Sequence, residues 1–336
     1  MLEVEEGGTL TTIQDGGRPE YAHLGVPVGG ACDPWSLEAA NLLQGNDPTA
    51  PVLEVTLSGA TFRVLRTCTV ALAGADLDAR IPEELRWLAP GGVHLLRAGT
   101  HLRFADRKDG ARAYLALAGG IAAPYVLGSA ATCLAGGFGG IEGRALRAGD
   151  RLLPARPDDL DRAGRRWPAP PAWHPVPERL PVTLRVVAGP HARGGSAGAA
   201  RRSLDALCSR EWQVAPESDR TGLRLLGPPL GRRRDAGVLV STGMRWGAVQ
   251  APPDGSPIVL LADAPPVGGY PVPAVVIRAD LPVLGQLAPG DRLRFETIAI
   301  PEAQELYRER RRALDLAAGR LARDDSWDDL AGHAGG

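Results

Sequence analysis

The sequence predicts a mainly β fold built from two similar units, and three observations support this prediction. The chain has 43 glycines and 30 prolines spread along its 336 residues, and these residue types end helices and strands early. Short apolar runs bounded by turn residues, such as Val52–Leu57, Leu184–Val187 and Ile258–Leu261, are typical of strands. The segments Leu146–Leu152 and Leu287–Leu293 both end in Gly-Asp-Arg-Leu, which favours a duplicated architecture.

Shifts in composition divide the chain into five predicted segments. They are a first β unit at 1–155, a linker at 156–181, a second β unit at 182–300, a C-terminal helix at 301–322 and a flexible tail at 323–336. The linker is dense in proline and charged residues and has no long apolar run, so we interpret it as a semi-rigid spacer. The tail is polar and ends in glycine, which favours fraying.

Two helices have clear local signals. Asp33 is a suitable N-cap, Pro34 suits the first helical position, and Gly45 supplies the stop. In the C-terminal helix, glutamates precede a run of arginines, and this order suits the helix dipole. A shorter helix is predicted at 203–209.

The charge composition excludes several classes of protein. Lysine and arginine number 38 against 39 acidic residues, so no basic field is available to hold nucleic acid. Lys108 is the one lysine in the sequence, and no glycine-rich frame precedes it. The sequence therefore argues against a P-loop, a Schiff-base lysine and a covalently attached biotin in this chain.

Cysteine usage and hydropathy predict a soluble, cytoplasmic protein. The four cysteines, at 32, 68, 133 and 208, are widely spaced, which suits a reducing compartment better than a disulfide framework. The N-terminus is acidic, unlike a signal peptide. Residues 113–141 carry no charge, but glycines and a proline interrupt them. We interpret this segment as a buried strand followed by tight turns, not as a membrane span.

Several familiar catalytic motifs fail on inspection. Gly194–Gly198 matches G-x-S-x-G, but no strand leads directly into the serine as a nucleophile elbow requires. Gly137–Gly140 resembles a dinucleotide loop, yet Glu142 stands where the third glycine is needed. The six histidines show no metal-ligand spacing, so no metal site is predicted.

Two glycine-rich segments concentrate polar side chains. The first, at 11–33, contains Asp15, Arg18 and His23 on backbone that can approach a ligand closely. The second, at 250–271, places Asp263 just after an apolar strand. In both segments the alternative is that the aspartates only cap turns, as aspartate often does before glycine.

The ordered set of motifs resembles a known family. It is similar to the C-type subunit of bacterial 5-oxoprolinase, in a family also called the KipA or biotin-dependent carboxyltransferase family, which is related to a carboxyltransferase region of urea amidolyase. The resemblance extends over about residues 2 to 300. The segments that carry it include 10–19, 25–33, 40–46, 53–57, 118–121, 138–144, 218–225, 247–250, 255–263, 268–271 and 279–281.

The resemblance implies a fold of two cyclophilin-like β-barrel units in tandem. It also implies an obligate B-type partner, which is a smaller cyclophilin-like protein, and a further partner of the A type. In that family the assembly opens 5-oxoproline to glutamate and consumes ATP, with no cofactor bound covalently. A lactam is a stabilised amide, so phosphorylation of its oxygen creates a leaving group before water attacks.

The two segments and the resemblance together give the predicted site. Predicted catalytic residues are Asp15, His23 and Asp263. Predicted substrate-binding residues are Gln14, Arg18, Arg220, Gln250, Gly268, Gly269 and Tyr270. A side-chain amide can donate and accept, an arginine can pair with a carboxylate, and an aspartate can take a proton. We expect Asp263 and Gln250 to share a cleft with the loop at 14–23.

Two departures from the family pattern leave the activity open. Residues 264–267 read Ala-Pro-Pro-Val where the family has Ala-Gln-Thr-Thr, and 129–133 read Ser-Ala-Ala-Thr-Cys in place of a more polar stretch. Both changes remove hydrogen-bonding groups beside the predicted site. The alternatives are a carboxyltransferase component of a biotin-dependent urea carboxylase or allophanate system, and a non-catalytic regulatory protein of the KipA kind.

Overall fold

The computed structural model describes residues 1–167, 181–192, 197–230 and 240–333. Most of the predicted linker, at 168–180, and Ser196 of the G-x-S-x-G match lie outside the described residues. Over the described residues the fold is mainly β with few helices, which confirms the predicted fold class.

The strands of the first unit form two sheets. In chain order they are β1 (Leu2–Gly7), β2 (Leu10–Gln14), β3 (Val52–Thr56), β4 (Ala60–Val64), β5 (Cys68–Gly74), β6 (Ala79–Ile81), β7 (Arg86–Trp87), β8 (Gly92–Leu96), β9 (His101–Phe104), β10 (Arg112–Ala116) and β11 (Arg151–Leu152). One sheet has the order β11-β1-β4-β9-β6-β7, and the other has the order β2-β3-β10-β5-β8.

The core of the first unit lies between these sheets. Phe62 and Phe104 from the first sheet meet edge to face, with ring centroids 6.2 Å apart. They belong to one buried cluster with Val55, Leu72 and Leu115 of the second sheet. Every residue of β5 and β10 is buried, because the second sheet is covered on its outer face as well. The uncharged segment at 113–141 thus begins as a buried strand, as predicted.

The second unit contains a closed barrel. Its elements are β12 (Val182–Ala188), α2 (Ala197–Cys208), β13 (Glu211–Val214), β14 (Gly222–Leu226), β15 (Thr242–Gly243), β16 (Ala248–Gln250), β17 (Ile258–Leu260), β18 (Val267–Gly268), β19 (Ala274–Val276), α3 (Leu281–Gly285) and β20 (Arg292–Thr297). The barrel order is β12-β19-β16-β17-β14-β13-β20, and parallel pairing of β12 with β20 closes it. Trp212 is the largest fully buried side chain of its core.

The two Gly-Asp-Arg-Leu segments form the same turn. Asp150 and Asp291 each accept a hydrogen bond from the backbone N–H three residues earlier, at 2.9 Å in both cases. Their carbonyl oxygens accept from the N–H groups of Val4 and Val214, at 2.8 and 2.9 Å. The glycines before them have φ values of 89° and 91°. The shared bonding shows that the repeated sequence encodes a repeated local structure.

One helix covers the outer face of the second sheet, and another helix packs against it. The first is α1 (Pro34–Gln44), which begins after Asp33 and ends at Gly45, as predicted. The other is α4 (Ile300–His333), which packs Tyr307 and Leu314 towards α1. It continues past the predicted end at 322, since the sequence from 320 to 331 has no proline or glycine to stop it.

Within the described residues, no helix is long and apolar enough to cross a membrane. The same part of the chain has no group of three or more histidine, cysteine or acidic side chains suited to a metal ion.

Candidate functional site between the two units

A buried ion network joins the two units. Glu54 on β3 pairs with Arg220, which lies in the loop before β14, and their side chains are 1% and 3% exposed. Arg220 also donates two hydrogen bonds to Asp263, from Nε to Oδ2 at 2.8 Å and from Nη2 to Oδ1 at 3.0 Å. Its Nη2 donates in addition to the carbonyl of Gly30 at 2.6 Å. Arg112 on β10 completes the network, with its Nε 3.5 Å from Glu54 Oε1.

The network fixes the ionisation of Glu54. Burial by itself raises the pKa of this carboxyl, but the charges of Arg220 and Arg112 act in the opposite direction. The net result is a lowered pKa. Glu54 therefore stays charged and serves as the anionic anchor between the two arginines.

A second group of buried polar side chains extends this contact. The amide of Gln286, just after α3, donates to Asp33 Oδ2 at 2.6 Å and accepts from the N–H groups of Ala111 and Arg112. Asp33 also caps α1 by accepting from the N–H groups of its first turn. Burial raises the pKa of Asp33 to about 6, against the hydrogen bonds from Ser36 and Gln286 that lower it.

Gly29 lies where the first glycine-rich loop meets the strand end that carries Asp263. Its N–H donates to the carbonyl of Ala262 at 3.0 Å. Its φ is +65°, and a Cβ at this position would lie 3.2 Å from Arg18 Nη1 and 3.8 Å from Asp263 Oδ1. We call the narrow space over Gly29, which is bordered by these two atoms and admits a methyl group only if Arg18 shifts slightly, the Gly29 gap. It brings together side chains from both units.

Arg18 is held by backbone carbonyls and by an aromatic ring. Its Nη2 donates to Ala131 O at 2.5 Å, and its Nε points to Val126 O at 3.4 Å. The guanidinium carbon lies 5.0 Å from the centroid of the Phe138 ring. Burial lowers the pKa of Arg18, because the charged form loses its hydration.

Asp15 anchors one loop to another. Its Oδ1 accepts from Gly17 N at 2.8 Å and from Ser129 Oγ at 2.6 Å, and its Oδ2 accepts from Ala130 N at 2.6 Å. Both carboxylate oxygens are therefore engaged within the chain. The catalytic role predicted for Asp15 stays a prediction.

Gln14 and His23 lie at the two ends, in sequence, of the segment that contains Asp15 and Arg18. Gln14 is fully buried and donates to Thr12 Oγ1 at 2.9 Å and to Thr132 O at 3.3 Å, while its Oε1 has no partner. His23 is exposed in a short 3-10 turn, with Nδ1 2.9 Å from Glu20 O. A carbonyl oxygen only accepts, so this contact places the ring proton on Nδ1. With this tautomer, Nε2 is the acceptor nitrogen of the exposed ring.

A separate group lies at the barrel and comprises Gln250 on the barrel strand β16 and Gly268, Gly269 and Tyr270 on and after β18. The strands β15 and β18 pair as a small flap, and a Cβ on Gly268 would lie 2.9 Å from Gln250 Nε2. Tyr270 is 44% exposed beside this flap. Across the described residues, no hydrogen bond or ion pair joins Gln250 to Arg18 or Asp263. The cleft predicted to unite Gln250 with the first loop stays a prediction.

Sequence reasoning missed the residues that assemble this interface. They are Asp33 beyond its capping role, Glu54, Arg112, Ser129 and Gln286. Glu54 has the clearest signal in the sequence, since it is the one charged residue of strand β3 and lies between apolar neighbours. A charge at a buried strand position needs a partner, and the partner lies 166 residues away.

Gly29 lies between a cation and a carboxylate oxygen. Arg18 Nη1 is on one side of the Gly29 gap and Asp263 Oδ1 is on the other. The ion pairs of Arg220 with Glu54 and Asp263 hold the Asp263 carboxylate in place beside the gap.

A mainly β chain of two units, with a polar site at their junction, is the architecture of a carboxyltransferase-type domain. A family model described as "Carboxyltransferase domain, subdomain A and B" matches residues 24–297. The chain belongs to this family.

Individual relatives fall into two groups. The chain is 37% identical over 324 residues to the C-type subunit of 5-oxoprolinase from Escherichia coli, covering 96% of this chain and 99% of that protein. It is 33% identical over 338 residues to the urea amidolyase of Lachancea kluyveri, covering 95% of this chain and 18% of that protein. The crystal structure of Kluyveromyces lactis urea carboxylase superimposes with a TM-score of 0.82 at 28% identity, over 94% of this chain and 29% of that one.

Proposed function

We propose that this protein is the C-type subunit of an ATP-dependent 5-oxoprolinase and acts with B-type and A-type partners to hydrolyse 5-oxo-L-proline to L-glutamate. The observation that carries the proposal is the end-to-end match with the Escherichia coli C-type subunit, which leaves almost no part of either chain unmatched. The urea amidolyase match, in contrast, covers 18% of a much longer enzyme. The proposal locates the assembly in the cytoplasm.

In this proposal the residues have distinct tasks. Asp263 borders the Gly29 gap with one oxygen while Arg220 holds its carboxylate in place, so it orients a ligand N–H and acts as the general base of the assembled complex. His23, with Nε2 free and exposed, handles protons at the surface that a partner protein covers. Asp15 and Gln14 hold the loop that carries Arg18, and Gln250, Gly268, Gly269 and Tyr270 line the approach from the barrel.

The test is reconstitution of the assembly. The chain is co-expressed with B-type and A-type partners from the same genome, and glutamate release from 5-oxoproline is measured with and without ATP. We expect ATP-dependent turnover by the three-component mixture and none by the isolated chain. Turnover by the isolated chain contradicts the partner requirement, and a stable complex with no turnover favours a regulatory protein.

A carboxyltransferase role is the second candidate. The description of the family model and the superposition on urea carboxylase support it. Lys108 has none of the surroundings of a biotinylated lysine, so the carboxybiotin would be delivered by another chain. Stimulation of urea carboxylation by a separate biotin carrier protein, with no 5-oxoproline turnover, would replace our proposal with this one.

A further inference from the structure

Arg18 is a buried cation without an ion pair. Three arginines in the described part of the chain are buried, and two of them, Arg112 and Arg220, share the carboxylate of Glu54. Arg18 is 2% exposed, makes no ion pair there, and its Nη1 is closed to solvent with no hydrogen-bond partner. The two nearest acids are committed elsewhere: Asp15 to Ser129 and Ala130, and Asp263 to Arg220.

An uncompensated buried charge is costly to a fold. Removing a guanidinium from water is repaid only when an anion or several well-placed acceptors replace the water. Arg18 has two backbone carbonyls, the face of Phe138 and the nearby charges of Asp15 and Asp263, which compensate part of this cost and leave one nitrogen without a hydrogen bond. The unsatisfied nitrogen is the one that borders the Gly29 gap.

We propose that the Gly29 gap is the subsite for the carboxylate of a small anionic lactam. Arg18 Nη1 receives the carboxylate end-on, since Nη2 is already bonded to Ala131 O. In 5-oxoproline the ring N–H is attached to the carbon that carries the carboxylate, so the same ligand presents a donor to Asp263 Oδ1 across the gap. The identity of the lactam rests on the proposed function, whereas the anion preference rests on Arg18 alone.

Binding at this subsite requires a local movement. Because Nη1 is closed to solvent in the free chain, the ligand enters only when the segment at 24–29 shifts. Leu24 and Val28 in this segment are 64% and 37% exposed, so the shift mainly breaks two backbone hydrogen bonds, from Arg18 N to Val28 O and from Gly29 N to Ala262 O. Glycine at position 29 is required for binding, since any side chain there would occupy the place that the carboxylate takes after the shift.

The experiment compares alanine substitutions at two glycines that both have a left-handed backbone conformation. Gly29→Ala adds a methyl group inside the gap, whereas Gly25→Ala adds one at φ +82° with nothing within 4 Å. Both changes carry the strain of a left-handed residue, so the difference between them isolates the gap. The probes are 5-oxoproline, the neutral lactam 2-pyrrolidinone and the carboxylate cyclopentanecarboxylate. Binding is measured by calorimetry on the full chain and by inhibition of the assembled complex.

We expect the wild type and Gly25→Ala to bind 5-oxoproline ~10-fold or more tightly than 2-pyrrolidinone, the range of a charge-assisted hydrogen bond. Gly29→Ala and Arg18→Gln should lose this preference. If Arg18→Gln does not fold, Gly29→Ala carries the test. Equal binding of the two lactams by the wild type, equal behaviour of the two alanine variants, or no binding of any probe overturns the proposal.

The same data separate this inference from the proposed function. Suppose that the assembly does not hydrolyse 5-oxoproline, but that the wild type binds cyclopentanecarboxylate and only Gly29→Ala and Arg18→Gln lose this binding. The proposed 5-oxoprolinase function is then wrong, and the carboxylate subsite is supported. If 5-oxoproline is hydrolysed but Gly29→Ala matches Gly25→Ala in KM, the function stands and the subsite fails.

Discussion

Glu54 in the first unit and Arg220 in the second form an ion pair that both units bury almost completely, at 1% and 3% side-chain exposure. Glu54 also accepts hydrogen bonds from Cys32 N and from the hydroxyl of Tyr114, both at 2.8 Å. One carboxylate thus organises two arginines, a tyrosine and a backbone N–H. The pair is the point where the two units depend on each other most directly.

Glu54→Gln should therefore destabilise the whole chain. Removing the charge leaves Arg220 and Arg112 without their shared anion, and breaking a buried pair in this way costs about 3–5 kcal/mol. The free energy of unfolding is measured by urea denaturation. The matched control is Glu305→Gln on α4, where the glutamate is paired with arginines but half exposed, and we expect no measurable change. Similar results for the two variants would contradict the anchor role of Glu54.

Asp33→Asn should change how stability depends on pH. The pKa of Asp33 is raised to about 6 in the folded chain from 3.8, so its contribution is fully present below about pH 4 and is lost as the pH rises through 6. The asparagine variant lacks this loss. Its stability relative to the wild type should rise by about 3 kcal/mol between pH 4 and pH 7. Urea midpoints at several pH values provide the measurement, and a constant difference across this range rules the prediction out.

Gly143→Ala should disturb the support of Arg18. Gly143 has φ +65°, and a Cβ there would overlap the backbone of Gly137 and Phe138. Gly149→Ala has comparable strain, at φ +89°, but meets nothing within 4 Å. We expect Gly143→Ala to cost about 2 kcal/mol or more beyond its control, through strain and overpacking. Thermal unfolding of both variants checks this, and equal melting temperatures would show that the turn relaxes without penalty.

Asp263→Asn tests the proposed site in the assembled complex. The change keeps the size of the side chain and removes its charge, while Arg220 retains Glu54 as a partner. Folding should survive, and turnover of 5-oxoproline should fall by ~10²-fold or more. Asp254→Asn, in an exposed turn of the same unit, is the control and should leave turnover unchanged. Unchanged turnover in Asp263→Asn would assign this residue a purely structural task.

Local signals in the sequence were sufficient for several elements. The start and end of α1 follow from Asp33, Pro34 and Gly45, because capping depends on neighbours in the chain. The repeated Gly-Asp turns could be found for the same reason. The end of α4 could not be predicted in this way, since the polar composition after 322 favours fraying whereas the absence of proline and glycine before Gly332 lets the helix continue.

The candidate site depends on long-range contacts that could not be predicted from the sequence. The sequence predicts Arg18 as a substrate-binding residue and Asp263 as a catalytic residue, and the structure places both beside Gly29. It could not indicate that Asp15 would be saturated by Ser129 and Ala130, which lie more than a hundred residues further on. Long-range pairing depends on how the sheets stack, and no local pattern in a single sequence encodes that.

The buried charges at the junction also determine how this chain could be divided. If the two units were produced as separate polypeptides, each would expose charges that are buried in the intact chain, with Glu54 and Arg112 on one fragment and Arg220 and Asp263 on the other. Glu54 and Arg220 are opposite in charge and form a buried ion pair in the intact chain, so the fragments should reassociate. The dissociation constant of the two fragments, measured for variants of each buried residue, would then give the contribution of each contact to the association of the units.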